Sequence, residues 1–181
     1  MTQAAATFTT FETAIGVCAI AWGTNGIVAV QLPEPNPAAT IRRLIKRLPL
    51  ATPGHAPPAV QITIDEIVRL LQGEPLDLRS VELDQHQLPD FNRQVYDLAR
   101  RVPPGATSTY GELARSLGDP LLARAVGQAL GQNPFPIIVP CHRIVATGGA
   151  MGGFSAPGGV ATKWRMLQIE QAPIAAQLSL L

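Results

Sequence analysis

Residues 133–145 read NPFPIIVPCHRIV, and the reading of the whole chain turns on this stretch. Pro134, Pro136 and Pro140 fix φ at intervals and remove backbone donors, which excludes a helix interior or a central strand. A stiff, apolar, extended lead-in is expected, delivering Cys141 to a set position with His142 directly after it. A thiol attacks carbon as its thiolate, so a base beside it on a rigid arm is what an activated cysteine requires. A cysteine alone in an apolar run is more often a core residue. Here His142, Arg143 and a glycine-rich loop over residues 147–159 accompany it.

Upstream, two short helices are expected. Thr109-Tyr-Gly-Glu112 is a capping box, opening a helix with Leu113 and Leu117 inward and Gly118 at its end. Asp119-Pro120 starts the next, which runs to about Leu130, and the pair has the outline of a helix-turn-helix. Ala123, Ala125, Gly127, Ala129 and Gly131 keep the second helix slim, with Arg124 projecting from it. Slimness lets backbone approach phosphates in a shallow groove, or lets the helix pack tightly on a neighbour. Before this pair, a helix from Pro89 or Asp90 turns Phe91, Val95, Leu98, Ala99 and Val102 inward until Pro103-Pro-Gly105 stops it. After the glycine loop, which is expected to be flexible, a last helix begins near Thr162. It carries Lys163, Trp164, Leu167 and Glu170, Pro173 ends it, and an apolar tail docks on the surface. The glycine loop lacks the strand–loop–helix setting of a phosphate cradle, which argues against nucleotide binding there.

The N-terminal half reads as α/β. Apolar Phe8, Phe11 and Ile15 precede a strand over residues 17–22. A turn in which Asn25-Gly26 supplies positive φ leads to a returning strand over 27–32. Asn36 caps a helix with Pro37 at its first position and Ile41, Leu44, Ile45 and Leu48 on one face. Arg42, Arg43, Lys46 and Arg47 are read as its solvated side. Residues 51–59 form a Pro-rich surface loop. Thr63-Ile-Asp-Glu66 reads as a capping box opening a short helix that ends at Gly73. Residues 74–87 are irregular and acidic, the best candidate for a linker. Two domains follow: 1–84, α/β with the linker, and 85–181, mostly helical.

Two cysteines, Cys18 and Cys141, and no export signal point to free thiols in a reducing compartment. An intracellular protein is expected, cytoplasmic or, in a eukaryote, nuclear. No apolar run is long enough to span a bilayer. Residues 1–84 carry six basic and eight acidic groups, and residues 85–181 carry eight basic and five acidic. A mildly basic second half permits nucleic-acid binding without announcing it. Three histidines and two widely spread cysteines show no metal-ligand spacing, so no metal is expected.

These motifs carry a resemblance. Pro140-Cys-His-Arg143 with Ile144-Val145 is similar to the active-site signature of the O6-alkylguanine-DNA alkyltransferases, or methylated-DNA–protein-cysteine methyltransferases. Pro103-Pro-Gly105, Thr109 to Leu113, Ala123 to Gly127, Asn133-Pro134, Gly152-Gly-Phe-Ser155 and Lys163 to Glu170 extend it in order over nearly all of residues 89–170. Phe154 stands where tyrosine is common. The loop between Ser155 and Lys163 is longer than in many relatives.

The resemblance implies a ribonuclease-H-like N-terminal domain with a small antiparallel sheet, and a C-terminal domain with a winged-helix-like helix-turn-helix. It also implies roles. Cys141 would accept the alkyl group, His142 would be its water-mediated base, Glu170 would orient His142, and Asn133 would tie the helix to the active-site turn. Tyr110 and Lys163 would face the departing guanine. Cys141 and Ile144 would offer it backbone carbonyls, and Ser155 a backbone N–H. Arg124 would fill the stack left by a flipped nucleotide. Thr109, Ala123, Ala125 and Gly127 would line the surface set in the minor groove. A monomer acting once, on duplex DNA containing O6-alkylguanine (O4-alkylthymine as a further candidate) and without a cofactor, is the expected agent. A non-catalytic lesion-binding protein of the same fold and a cysteine hydrolase are the alternatives.

Overall fold

The structure, a computed structural model, describes residues 6–174. Strands β1 (Thr7–Thr13), β2 (Gly16–Gly23) and β3 (Gly26–Gln31) form an antiparallel meander. Gly26 alone supplies the positive φ of the β2–β3 turn, at 118°, and a Cβ there would lie 2.5 Å from the Glu82 carbonyl oxygen. A fourth, two-residue strand, β4 (Thr52–Pro53), pairs parallel to β1. The three long strands are antiparallel as expected, and the short β4 adds one parallel edge, in the order β3-β2-β1-β4. The Pro-rich loop turns out to be anchored, because Thr52 and Gly54 donate to the carbonyls of Ala6 and Phe8.

Both faces of the sheet are covered. Cys18, Ile20 and Trp22 of β2 point into the main core, and Ala19 and Ala21 pack with Phe8, Ala29 and Leu44 on the other side. That is why β2 reads as an unbroken apolar run. Helix α1 (Pro37–Arg47) covers the second face, with the Ala39 N–H donating to Asn36 Oδ1 at 2.9 Å as the cap pattern predicts.

Helix α2 (Pro58–Leu70) starts five residues before the expected capping box. Pro58 fills the first turn without losing a needed donor, so the helix starts without a side-chain cap. Thr63 is interior, its hydroxyl turned back to the Ala59 carbonyl at 3.2 Å. Gly73, at φ 100°, closes the end as expected, with Gly73 and Glu74 N–H groups reaching the Leu70 and Arg69 carbonyls. Residues 74–87 are irregular yet fastened down. Ile27 exchanges backbone bonds with Glu82 and Asp84, and Arg100 donates to the carbonyls of Leu78, Arg79 and Val81.

In the second half, α3 (Asp90–Ala99) is rotated from the expected face. Asn92, Val95, Tyr96 and Ala99 are buried, while Phe91 and Leu98 are half-buried. Tyr96 is drawn inward because its hydroxyl finds the Ala129 carbonyl at 2.9 Å. Next come β5 (Ser108–Thr109) and α4 (Tyr110–Ser116), then a 3-10 turn over Pro120–Leu122 and α5 (Ala123–Gly131). β5 pairs with β6 (Ile144–Val145), which ties the entry of α4 to the chain just past Cys141. Helix α6 (Val160–Ile169) starts two residues earlier than Thr162.

The end of α6 carries a testable strain. Gln171 sits at φ 57°, its N–H on the Gln168 carbonyl and that of Ala172 on the Leu167 carbonyl, a geometry that glycine adopts without cost. Gln171→Gly is expected to stabilise the fold by about 1 kcal/mol, read as a higher urea midpoint at unchanged slope. Of the apolar tail expected to dock after Pro173, Ile174 is buried in a cluster with Val145 and Leu167, and residues 175–181 lie outside the described residues. Among the described residues no helix is long and apolar enough to cross a membrane.

Candidate active site

The segment before Cys141 is a closed turn rather than the extended arm expected. Asn133 holds it shut: Oδ1 accepts from Phe135 N and Nδ2 donates to the Val139 carbonyl, both at 2.9 Å. Val139 N returns to the Phe135 carbonyl at 2.8 Å, and Ile137 takes φ 77°, rare for a β-branched residue. Burial of Phe135, Ile137, Ile138 and Val139 over-determines that conformation. The prolines fit because their missing donors fall where the turn needs none.

Cys141 opens a 3-10 turn with His142 and Arg143 and is partly exposed in a cleft of about 1140 Å³. Tyr110, Ala123, Arg124, Asn133, Phe154 and Ser155 border the same cleft. Burial pushes the Cys141 thiol up, while the Asn133 side chain and the Lys163 charge act against it. Cys18, by contrast, is enclosed beneath the sheet and pushed up to about 12 by burial. It is no nucleophile.

Behind Cys141 lies a buried ionic group. His142 Nε2 is 2.8 Å from Glu170 Oε1, and Arg143 grips the same carboxylate through Nε at 3.0 Å and a terminal nitrogen at 2.9 Å. Its other terminal nitrogen donates to the Val102 carbonyl at 2.7 Å. Burial pushes Glu170 up, but hydrogen bonds and charges from His142 and Arg143 outweigh it and hold the carboxyl at about 2. Burial lowers His142 despite its acidic partner. A neutral ring facing a carboxylate places its proton on Nε2, leaving the lone pair on Nδ1. That buried nitrogen has no protein partner among the described residues, and no hydrogen bond joins the ring directly to Cys141.

Lys163, expected to face the base, is fully buried, and its ammonium donates to the Ile144 carbonyl, itself an expected base acceptor. It lies 5.8 Å from the Tyr110 ring centre and 6.0 Å from that of Phe154. Burial lowers it from 10.5 to about 8, against the opposing pull of Cys141. Below pH 8 the charge is present in both folded and unfolded chains and its burial costs stability. Between about 8 and 10.5 the unfolded chain alone keeps the proton, so stability rises with pH. Lys163→Met is expected to remove that rise, on the order of 3 kcal/mol across the window, in urea titrations compared with wild type.

The helix-turn-helix is formed as expected. Thr109 Oγ1 accepts from Glu112 N at 3.1 Å and Glu112 returns to Thr109 N at 2.7 Å, so this hydroxyl is engaged as a cap. A Cβ at Gly127 would lie 3.8 Å from the Tyr110 ring, an ordinary contact, so packing on Tyr110 does not by itself require the slimness of α5 there. Gly152, at φ 67°, lets the glycine loop approach the same ring, with a Cβ position only 3.1 Å away. Ala125 is half-buried, Arg124 is exposed, and Ser155 donates to the Gly131 carbonyl at 2.9 Å. Two features escaped the sequence reading: Arg143 as the second cation on Glu170, and Arg43 and Arg47 of α1, which border the cleft instead of facing only solvent. No group of three His, Cys, Asp or Glu among the described residues is placed to hold a metal.

Residues 90–172 match the family described as 6-O-methylguanine DNA methyltransferase, DNA binding domain. Across 159 residues the chain is 32% identical to the methylated-DNA–protein-cysteine methyltransferase of Methanothermobacter thermautotrophicus, covering 87% of this chain and 81% of that one. The chain belongs to the methylated-DNA–protein-cysteine methyltransferase family. A crystal structure of Mycobacterium tuberculosis OGT in complex with DNA superposes with a TM-score of 0.72 at 31% identity, over 96% of this chain and 99% of that one. The O6-methylguanine-DNA methyltransferase of Pyrococcus kodakaraensis gives 0.70 at 27% identity, over 91% and 98%. Membership of the methyltransferase family thus extends to both halves of the chain.

Proposed function

We propose that this protein repairs alkylated DNA by moving the alkyl group of O6-alkylguanine directly onto Cys141. The observation that carries the reading is a partly exposed thiol backed by a buried His–Glu pair, in a cleft that α5 and Arg124 border. The duplex lies along the helix-turn-helix with Ala123, Ala125, Gly127 and Thr109 in the minor groove. Arg124 fills the gap in the stack, and the target nucleotide turns out into the cleft between Tyr110, Phe154 and Ser155.

His142 Nδ1 takes the thiol proton through a water, and Glu170 stabilises the imidazolium that results. The sulfur lone pair forms an S–C bond to the alkyl carbon as the C–O6 bond breaks, and those electrons return to the purine. Lys163, lowered to about 8 by burial, donates the one proton that guanine takes up on leaving, and Tyr110 hydrogen-bonds to the base. The proton held on His142 passes to solvent. Lys163 must release the Ile144 carbonyl, which then serves the base. Asn133 keeps the turn closed throughout. The thioether product has no acyl carbon for water to attack, so each molecule acts once. This separates the reading from a cysteine hydrolase.

We assign the DNA-binding and acceptor machinery to residues 85–181 and the α/β support with its linker to residues 1–84. The substrate places the work wherever the genome is housed, in the cytoplasm or a nucleus. Intact mass after mixing with a duplex containing O6-methylguanine is expected to rise by one methyl in place of hydrogen, mapping to Cys141. Binding with unchanged mass would favour a lesion-binding protein, and the absence of both binding and mass change would overturn the DNA reading.

A further inference from the structure

We infer that Leu121 is a DNA-contacting residue, an apolar knob that packs on the deoxyribose wall of the minor groove beside Arg124. The inference rests on the proposed function, which sets α5 in that groove. Leu121 is 87% exposed, against 61% for Leu50 and 59% for Ile62, the next most exposed large apolar side chains described. Isolated exposed leucines are common and need no explanation. This one differs in how firmly it is presented and in where it sits.

Residues 118–121 are all exposed and form the projecting tip between α4 and α5. Pro120 fixes its own φ, Asp119 Oδ1 accepts from Leu121 N at 2.9 Å, and the Asp119 carbonyl accepts from Leu122 N at 3.1 Å. The backbone that carries Leu121 is thus held before any ligand arrives, so little entropy is lost on docking. Asp119 is itself exposed, with one carboxylate oxygen engaged by that N–H. Gly118, at φ 97°, has nothing within 4 Å of where a Cβ would stand, leaving the approach open.

Leu121 precedes Arg124 by three residues, in the 3-10 turn that leads into the N-terminus of α5. Proteins that widen the minor groove commonly set leucine or proline against it. A cationic residue at this tip would pair with phosphate and release a counterion. Leucine instead buries against sugar C–H groups and releases no counterion.

That distinction supplies the test. Leu121→Ala and Leu121→Asn are compared with wild type for binding of an O6-methylguanine duplex across a range of salt, with Arg124→Ala alongside. Both Leu121 variants are expected to weaken binding about fivefold, with the slope of log affinity against log salt unchanged. Arg124→Ala, which takes a cation away from the DNA, is expected to flatten that slope. Alkylation of Cys141 by iodoacetamide, which needs no DNA, should proceed at the wild-type rate in both Leu121 variants. Wild-type affinity, a changed salt slope, or a parallel fall in iodoacetamide rate would each overturn the inference. Methyl transfer by the wild-type protein, scored separately, shows whether the underlying function holds.

Discussion

Cys141→Ser is expected to abolish methyl transfer while leaving the fold and DNA binding intact. The change swaps one atom in a partly exposed side chain, so packing is preserved. Its chemical consequence is large. A hydroxyl is far harder to ionise than a thiol, and the neutral His142, serving through water, is too weak a base to supply an alkoxide. Transfer should fall by at least about 10⁴-fold in single-turnover assays, with an unchanged melting midpoint. Cys18→Ser provides the contrast. Its effect should be on stability, since Cys18 is fully buried, and transfer should persist wherever the variant is folded.

Glu170→Gln should damage both stability and chemistry. The carboxylate is 2% exposed and receives His142, two nitrogens of Arg143 and, at 3.4 Å, the Gly105 N–H. An amide keeps the shape but loses the charge and turns a donor toward a buried guanidinium. Breaking such a pair by removing one partner costs roughly 3–5 kcal/mol. Transfer should fall about 10²-fold further, because the imidazolium that forms on His142 loses its counter-charge. The pH dependence has a definite sign. Glu170 is held at about 2 against an ordinary 4.5, so its stabilisation is fully present above 4.5 and disappears as pH falls toward 2. Denaturant titrations of wild type and variant should therefore differ most at neutral pH and converge in acid. A constant gap would assign the stabilisation to something other than this charge.

The parts legible in the sequence were those decided within a few residues. Asn36 at its cap, Gly26 in the hairpin, Gly73 and Gly118 after their helices, and the reciprocal Thr109–Glu112 bonds all lie where local rules put them. What the sequence hid depends on partners far along the chain. Tyr96 turns inward for a carbonyl 33 residues away, and Arg143 reaches a carboxylate 27 residues away. Strand β1 carries Phe8 and Phe11 on opposite faces of a sheet covered on both sides, so it shows no simple alternation. The closed turn before Cys141 reads as extended from its three prolines alone; only the resemblance, which makes Asn133 tie the helix to the active-site turn, points to the clamp. The start of α2 was misplaced because Thr63 and Glu66 mimic a cap that the helix, already begun at Pro58, does not use.

The central claim is that the alkyl group ends on Cys141 and stays there. Its most direct test is a count of repaired guanines per protein molecule with methylated duplex in large excess. The account predicts a single burst that stops at one guanine restored per protein, with the methyl group recovered on the Cys141 peptide. Repair that continues past that point would contradict it, as would a methyl group recovered on any other residue.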